Sequence, residues 1–127
     1  NPESKHHKTY GDIFNENEKQ FSRWNFEVAD TAMLLRQFDE AEIECKRILS
    51  QSPVHEPSGA EIVMVGPAYD QCLMASHLFN LLDARGVISV IERAAYISRV
   101  RNMAKGCAQA WIASQVHQKQ SKVNDNV

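Results

Sequence analysis

Apolar residues recur at spacings of three and four over several long stretches of this chain. The first such stretch carries Phe21, Trp24 and Val28. Because an α-helix has about 3.6 residues per turn, this spacing places the three side chains on one face. The pattern therefore predicts a one-faced helix from residue 15 to about residue 29.

A second helix is predicted to follow at once, with Asp30 as its N-cap. Aspartate is favoured there because its carboxylate accepts hydrogen bonds from the free backbone N–H groups of the first turn. The apolar residues then form a single stripe, which consists of Leu34, Phe38, Ala41, Cys45 and Ile48. Acidic residues occupy the other faces, and we interpret them as a solvated surface.

An irregular loop is predicted over about residues 50–66. Pro53, Pro57 and Gly59 interrupt any helical pattern there. Residues 62–65 form a short apolar and β-branched patch, which is compatible with a small extended segment but too short for the pattern to decide.

The third helix has Pro67 in its first turn, where the missing N–H costs nothing. Its predicted inward face consists of Tyr69, Cys72, Leu73, Ser76, Phe79 and Leu82. Gly86 is expected to end the helix in a left-handed conformation. Ser89 and Glu92 have the spacing of a capping box, which predicts the start of a fourth helix that continues to about His117.

The fourth helix has an unusually wide apolar arc. It consists of Val90, Ala94, Ile97, Val100, Met103, Ala104, Cys107, Ala108, Ala110 and Trp111. An arc of this width is expected to be buried against more than one neighbour. The predicted fold class is all-α, a small helical bundle of about four main helices. The bundle occupies residues 9–117, after a lead-in over 1–8 and before a polar, disordered tail over 118–127.

Composition places the chain among ordinary globular domains, with 43% hydrophobic and 24% charged residues. The net charge of −2 argues against a surface built entirely for nucleic acid. No apolar run approaches the roughly 20 residues of a membrane span, and no apolar signal segment is visible. Because the chain opens with Asn1 rather than Met, we expect a piece of a longer protein. Three separate cysteines on apolar faces favour free buried thiols and a cytoplasmic location.

No catalytic or metal site is predicted. The five glycines are too scattered for a phosphate-binding loop, and no Gly-x-Ser-x-Gly elbow exists. His6 and His7 are adjacent and lack a third ligand nearby, which disfavours a metal site. We interpret His77 as a structural histidine that hydrogen-bonds inside the bundle, because the sequence offers it no orienting partner for catalysis.

A basic segment leaves two interpretations open. Arg99, Arg101 and Lys105 lie in a stretch where Glu92 is the sole acidic residue. Such cations can neutralise RNA phosphates. The helical angles put Arg99 on the opposite edge of the apolar arc from Arg101 and Lys105, which favours intramolecular or subunit salt bridges. Direct RNA contact stays as the alternative.

Several motifs, in the same order, resemble a known family. Residues 77–93 look like the signature near the end of the alpha subunit of the bacterial two-subunit glycyl-tRNA synthetase, and residues 96–101 continue the match. Upstream, residues 9–14 and 25–30 are similar to the same family, as is the helix start at 67–70. The resemblance implies the C-terminal helical part of that subunit.

Six polar residues around the predicted turn between the third and fourth helices form a candidate polar clasp. They are Asn80, Asp83, Arg85, Ser89, Glu92 and Arg93. We expect them to be buried and mutually paired, and so to fix the angle between the two helices. A half-satisfied network would cost more than an apolar contact.

The resemblance implies a function for the parent enzyme rather than for these residues. In this family a class II core binds glycine and ATP, forms glycyl-adenylate with magnesium and charges tRNA(Gly). Its motifs precede the matched region, so the chain alone is expected to hold no cofactor and to be inactive. The implied partners are the core of the same subunit, the beta subunit of an alpha2beta2 assembly, and tRNA(Gly), with no membrane. The alternatives are a free-standing helical protein-interaction module and an RNA-binding module.

Overall fold

The computed structural model describes residues 9–51, 54–55, 57–58 and 61–125, and this part of the chain is almost entirely helical. Its elements are α1 (Tyr10–Arg23) with a π-helical turn (Trp24–Val28), α2 (Thr31–Ser50), β1 (Val54–His55), β2 (Glu61–Ile62), α3 (Val65–Ala84) and α4 (Val90–Asp125). The all-α prediction is confirmed. The predicted lead-in over 1–8 lies outside the described residues.

Helix α1 begins at Tyr10, five residues earlier than the apolar spacing predicted. Its N-cap is Thr9, whose hydroxyl accepts a hydrogen bond from the Asp12 N–H at 3.1 Å. The Asp12 carboxylate accepts the Thr9 N–H in return at 3.2 Å. This reciprocal cap satisfies two backbone donors at once and fixes the helix start. The Thr-x-x-Asp spacing was the sequence signal that the prediction overlooked.

The joint between α1 and α2 is anchored to the bundle. Ala29 is buried, and its N–H donates to the Trp24 carbonyl at 2.7 Å, which closes the π-helical turn. Its own carbonyl accepts a hydrogen bond from Arg85 Nη1 at 2.6 Å. Asp30 then caps α2 by accepting the Ala32 N–H at 3.0 Å, as predicted. The backbone at the start of α2 is therefore held in place by burial and hydrogen bonds of Ala29.

The core lies between α2, α3 and α4, which pack on one another. The stripe predicted on α2 is confirmed: Leu34, Phe38, Ala41 and Cys45 are buried, and Ile48 packs against them. Helix α4 contributes Met103 and Cys107. It approaches α2 closely at Gly106, where a Cβ would lie 3.1 Å from Leu49 Cδ1.

The inward face of α3 was predicted wrongly in part. The residues that α3 buries are Ala68, Cys72, Ala75, Leu78, Leu81 and Leu82. Tyr69 and Leu73, which were expected inside, are about half exposed. His77 is also exposed, so it is not the buried structural histidine that the sequence suggested. Apolar residues occur on all sides of α3, so their spacing alone does not distinguish the core face from the outer face.

The described residues cover only one side of the apolar arc of α4. Tyr96 and Val100 pack against the core, whereas Val90 and Trp111 at the other edge are 81% and 56% exposed. The expectation that the whole arc is buried is therefore wrong for this part of the chain. The reason is that α2 and α3 both lie on the same side of α4.

The turn between α3 and α4 follows the prediction closely. Gly86 has a φ of 70°, a left-handed conformation that favours glycine. The Gly86 N–H donates to the Asp83 carbonyl at 3.0 Å, and the Val87 N–H donates to the Leu82 carbonyl at 3.4 Å. These two bonds form a Schellman motif, which satisfies the last carbonyls of α3.

Helix α4 ends at Asp125, beyond the predicted end near His117. The predicted disordered tail over 118–127 is therefore wrong for residues 118–125. This segment contains neither proline nor glycine, and extending an established helix is far easier than nucleating one. In the loop before α3, β1 and β2 pair antiparallel, with Val54 opposite Ile62. Of the patch over residues 62–65 whose structure the loop pattern left open, Ile62 lies in β2 and Val65 begins α3.

Helix α1 does not join the bundle. Within the described residues it contacts the π-helical turn alone, and none of its residues is buried. The four main helices of the predicted all-α fold are confirmed, while the buried core lies between α2, α3 and α4. None of the helices that the structure describes has the length and apolar character needed to cross a membrane.

Candidate functional site

The predicted polar clasp separates into independent pairs rather than one network. Arg93 forms an ion pair with Asp83, with Nη2 2.8 Å and Nε 3.0 Å from Oδ1. The Ser89 hydroxyl accepts the Glu92 N–H at 3.1 Å, and the Glu92 carboxylate accepts the Ser89 N–H at 3.3 Å. The first pair links α3 to α4, and the second caps α4.

The two remaining clasp residues lie elsewhere. Arg85 turns away from the corner and donates to the Ala29 carbonyl. Asn80 is exposed, and in the described part of the chain its side chain makes no hydrogen bond. The Arg93 and Asp83 side chains are 51% and 30% exposed, so the clasp is not buried as predicted. The Ser89–Glu92 cap and the Asp83–Arg93 ion pair each join residues that are close in the chain and reach solvent. The six residues therefore do not need a shared buried network.

Arg99 is the centre of the main charged cluster. Its Nη2 lies 2.8 Å from Glu42 Oε1 and 2.8 Å from Asp39 Oδ1, and its Nε lies 3.0 Å from Glu42 Oε2. The guanidinium also lies over the Phe38 ring at 4.6 Å and the Tyr96 ring at 5.0 Å. Arg99 therefore ties α4 to α2, as the salt-bridge interpretation predicted.

The Arg99 hydrogen bonds hold the pKa of Glu42 below its ordinary value of 4.5, against the opposing effect of burial. They likewise raise the pKa of Arg99. The Glu42 side chain is 13% exposed, so it is not part of a merely solvated acidic surface as the sequence suggested. The signal that the sequence analysis missed was the opposite charge of Glu42 on α2 and Arg99 on α4, each beside the apolar stripe of its helix.

Arg101 and Lys105 differ from Arg99. Both are exposed, and within the described residues neither has an ion pair. They lie one turn apart on the side of α4 that faces away from α2. The three basic residues that the sequence grouped together therefore do not form one patch. RNA contact stays a prediction for Arg101 and Lys105.

The three cysteines are buried free thiols, as predicted. The Cys45 and Cys107 sulfur atoms lie 4.0 Å apart in the core. Burial, reinforced by Cys107, raises the pKa of Cys45 to about 12. Burial also raises the pKa of Cys72. All three thiols are enclosed in the core and contribute to its packing.

The described residues do not fit a magnesium–ATP site. No group of three or more His, Cys, Asp or Glu side chains among them lies close enough to hold a metal ion. Gly11, Gly66, Gly86 and Gly106 belong to separate helices or turns and form no phosphate-binding loop.

The most distinctive surface is the outward side of α3, which we call the α3 outer face and define by Tyr69, Leu73 and Met74. These side chains are 49%, 50% and 47% exposed. Asp70 and Asp83 are the sole Asp, Glu, Lys or Arg residues among the 20 residues of α3. A helix with large apolar residues on its outer side as well as its core side is normally covered on both. The α3 outer face is therefore suited to a protein partner.

Comparison with known protein families agrees with this architecture. Residues 3–116 match the family model of the glycyl-tRNA synthetase alpha subunit. The match includes α1, α2, α3 and α4 as far as residue 116, and so every α4 residue that packs in the core. The chain belongs to the glycyl-tRNA synthetase alpha subunit family, as a C-terminal helical part of that aminoacyl-tRNA synthetase subunit.

Proposed function

We propose that this chain is the non-catalytic helical domain of its synthetase subunit, which supports the catalytic core and docks the beta subunit through the α3 outer face. The observation that carries the proposal is the half-exposed, mainly apolar surface of Tyr69, Leu73 and Met74 on a helix whose other side is core. Asp70 is the one acidic side chain within this surface. Membership of an alpha subunit family implies a synthetase complex, which supports a second subunit as the partner.

The chemistry of the α3 outer face supports a stable protein contact. Asn80 lies at its C-terminal end and His77 lies beside Leu73, and both are exposed. Asp70 is the one charged carboxylate beside Leu73 and Met74. Apolar side chains with few charged neighbours are the usual composition of the centre of an interface. The face is also rigid, because the opposite side of α3 is fixed in the core by Leu78 and Leu82.

Catalysis is assigned to the remainder of the subunit. We propose a class II core that binds glycine, ATP and magnesium, and a cytoplasmic enzyme in which the beta subunit supplies most of the tRNA(Gly) recognition. The charged residues described above support this division, because Arg99, Glu42 and Asp39 pair with one another between helices. A reactive centre needs charged groups that are held open for substrate.

Affinity for the beta subunit tests the docking role. The 127-residue chain is titrated with purified beta subunit by isothermal calorimetry, and Leu73→Glu is compared with Ile43→Glu. Leu73 and Ile43 are 50% and 65% exposed, so neither substitution removes core packing. Leu73→Glu is expected to weaken binding by on the order of 10- to 100-fold, because it buries a charge at the interface centre. Ile43→Glu is expected to change it little.

Three results would overturn the proposal. The first is that the wild-type chain does not bind the beta subunit, and the second is that Leu73→Glu leaves the binding unchanged. The third is glycine-dependent ATP–pyrophosphate exchange by the chain alone, since a non-catalytic domain forms no glycyl-adenylate. Circular dichroism of each variant confirms that the fold is retained.

A further inference from the structure

Two of the three core thiols lie side by side although they are far apart in the chain. The sulfur atoms of Cys45 on α2 and Cys107 on α4 are 4.0 Å apart, and the two residues are 62 positions apart in sequence. Cys45 is 0% exposed and Cys107 is 3% exposed. Residues at this separation meet rarely in an unfolded chain, so the fold itself creates the pair.

The backbones of α2 and α4 come close to each other beside this pair. Gly106 precedes Cys107, and a Cβ added to it would lie 3.1 Å from Leu49 Cδ1. Leu49 in turn lies one turn after Cys45 on α2. A disulfide needs two Cβ atoms about 3.5–4.5 Å apart, so it joins two helices only where their backbones approach closely. The glycine provides such a place next to the two sulfurs.

A bond between the two sulfurs needs only a short movement. A disulfide S–S bond is about 2.05 Å long, so the sulfurs of Cys45 and Cys107 have about 2 Å to close. Rotation of each side chain about its Cα–Cβ bond can supply this movement. Among the described residues, the contact between the two thiols is also the one hydrogen bond that either side chain makes.

Cys72 on α3 is equally enclosed but has a different neighbour. It is 3% exposed, and its sulfur donates to the Val100 carbonyl oxygen at 3.9 Å. Within the described part of the chain, its side chain makes no hydrogen bond to either of the other thiols. A carbonyl oxygen cannot form a bond with a thiol sulfur by oxidation. Cys72 is therefore an internal comparison for the other two cysteines.

We propose that Cys45 and Cys107 are a redox-sensitive pair, which peroxide converts to a disulfide within the folded chain and which then locks α4 onto α2. This modification site does not depend on docking of the beta subunit. Disulfides are rare in a reducing cytoplasm, and those that occur there are usually transient and either catalytic or redox-sensing. Exchange with a thiol reductant returns the pair to its free form.

The reaction consumes one hydrogen peroxide and two thiols. The oxidant meets Cys107 first, because Cys107 is the more exposed of the two. The Cys107 sulfur attacks one peroxide oxygen, the O–O bond breaks, and a sulfenic acid forms while water leaves. The Cys45 sulfur then attacks the sulfenic sulfur, the S–O bond breaks, and the released hydroxide takes the Cys45 proton as a second water. The two sulfurs lose two electrons in total, and the peroxide gains them.

Enclosure of the pair selects a small, uncharged oxidant. Burial raises the pKa of Cys45 to about 12, so its reactive thiolate is scarce at neutral pH. We therefore expect the bridge to form slowly. A bulky alkylating reagent does not fit into the core, whereas hydrogen peroxide is close to water in size.

Peptide mapping of the peroxide-treated chain tests the pair. The reduced 127-residue chain is oxidised at low concentration, which disfavours bridges between molecules, and is then alkylated and digested with trypsin without reductant. Trypsin places Cys45 in residues 37–46, Cys72 in residues 48–85 and Cys107 in residues 106–119. Each possible bridge therefore links a different pair of peptides. The expected main product joins 37–46 to 106–119.

The same oxidation in urea is the control for the fold. Without the fold, loop closure favours cysteines that are closer in the chain. We therefore expect the unfolded chain to form bridges from Cys72 to Cys45 or to Cys107 in preference to the Cys45–Cys107 bridge.

Three substitutions of equal size separate the pair from the third thiol. Cys45→Ala and Cys107→Ala are each expected to abolish the bridge within the folded chain, whereas Cys72→Ala is expected to leave it intact. Each removes one buried sulfur, so the loss of core packing is matched. Circular dichroism before oxidation verifies that each variant is folded.

Thermal unfolding then measures the lock. A crosslink over 62 positions restricts the unfolded chain, so the bridged wild type should melt about 10 °C above its reduced form. Dithiothreitol should reverse the shift. The proposal fails if the folded chain stays unbridged or stops at sulfinic acid, or if the main bridge involves Cys72 or a second molecule. It also fails if the bridged form melts below the reduced one.

Discussion

Replacing Arg99 by methionine tests the contact that joins α2 and α4. Methionine keeps an unbranched apolar stem over the Phe38 and Tyr96 rings but removes the charge and the fork of N–H donors. Glu42, whose side chain is 13% exposed, then keeps its charge without a partner. Asp39 loses its partner too, but its side chain is 56% exposed and remains hydrated.

The expected cost in the free energy of unfolding is about 2 to 3 kcal/mol. Breaking a fully buried ion pair costs about 3–5 kcal/mol. The smaller figure applies here because the Arg99 side chain is 33% exposed, so that solvent screens part of the interaction. Loss of the cation–π contacts adds up to about 1 kcal/mol. For a domain of this size the midpoint of thermal unfolding falls by about 6–12 °C.

Urea unfolding followed by circular dichroism measures this cost at fixed protein concentration. Arg36→Met is the matched control, since Arg36 is exposed on α2, and it is expected to change stability by no more than about 0.5 kcal/mol. A double-mutant cycle with Glu42→Gln isolates the pair. The reasoning would be refuted if the free energy of unfolding of Arg99→Met were no lower than that of Arg36→Met. It would also be refuted if the cycle gave no coupling energy between Arg99 and Glu42.

The same pair predicts a dependence on pH. The Arg99 hydrogen bonds lower the pKa of Glu42 below 4.5 in the folded state. The stability that they supply is therefore complete above that value and is lost as the pH falls through the lowered pKa. The difference in unfolding free energy between wild type and Arg99→Met should narrow as the pH is reduced from 5 towards about 2.

Three further predictions concern packing, the helix end and the thiols. Leu82→Ala, at a fully buried position, should cost about 2–5 kcal/mol by urea unfolding, whereas Leu73→Ala at a half-exposed position of the same helix should cost less than about 1 kcal/mol. Gly86→Ala should cost about 1–2 kcal/mol because φ is 70°, while Gly66→Ala, in helical backbone with open space around it, should be neutral or slightly stabilising. Burial raises the pKa of Cys45 from 9.0 to about 12, so this thiol ionises at lower pH in the unfolded chain than in the folded one. The free energy of unfolding should therefore fall as the pH rises above about 9. The thiols of the native protein should also resist thiol reagents at pH 8 until the chain is unfolded.

The sequence predicted a structural feature correctly where all the residues that determine that feature lie in one short segment. The stripe of α2 is flanked by charged residues, so its periodicity selects a single face. Asp30, Gly86 and the Ser89–Glu92 pair act within a few residues of their own position, and each has the predicted hydrogen bonds. The start of α1 was missed although its signal, Thr9 with Asp12, is of the same local kind.

Partner choice between helices was not predictable in the same way. Helix α3 has apolar residues on all sides, and the positions of α2 and α4 decide which of them lie in the core. The acidic residues of α2 looked equivalent in sequence, but Glu42 faces Arg99 across 57 positions of chain and Glu40 does not. Periodicity also gives α1 an apolar face without saying whether anything covers it.

The sequence by itself determined that this chain is helical, where most of its helices begin and end, and which family it belongs to, because those properties follow from local hydrogen bonding and from motifs in order. Tertiary structure alone decided that three helices rather than four close the core, that the clasp residues act as separate pairs, and that apolar faces of α1, α3 and α4 stay open. The physical reason is that burial depends on which surfaces meet in space, and hydrophobic packing has no direction that a single helix can specify.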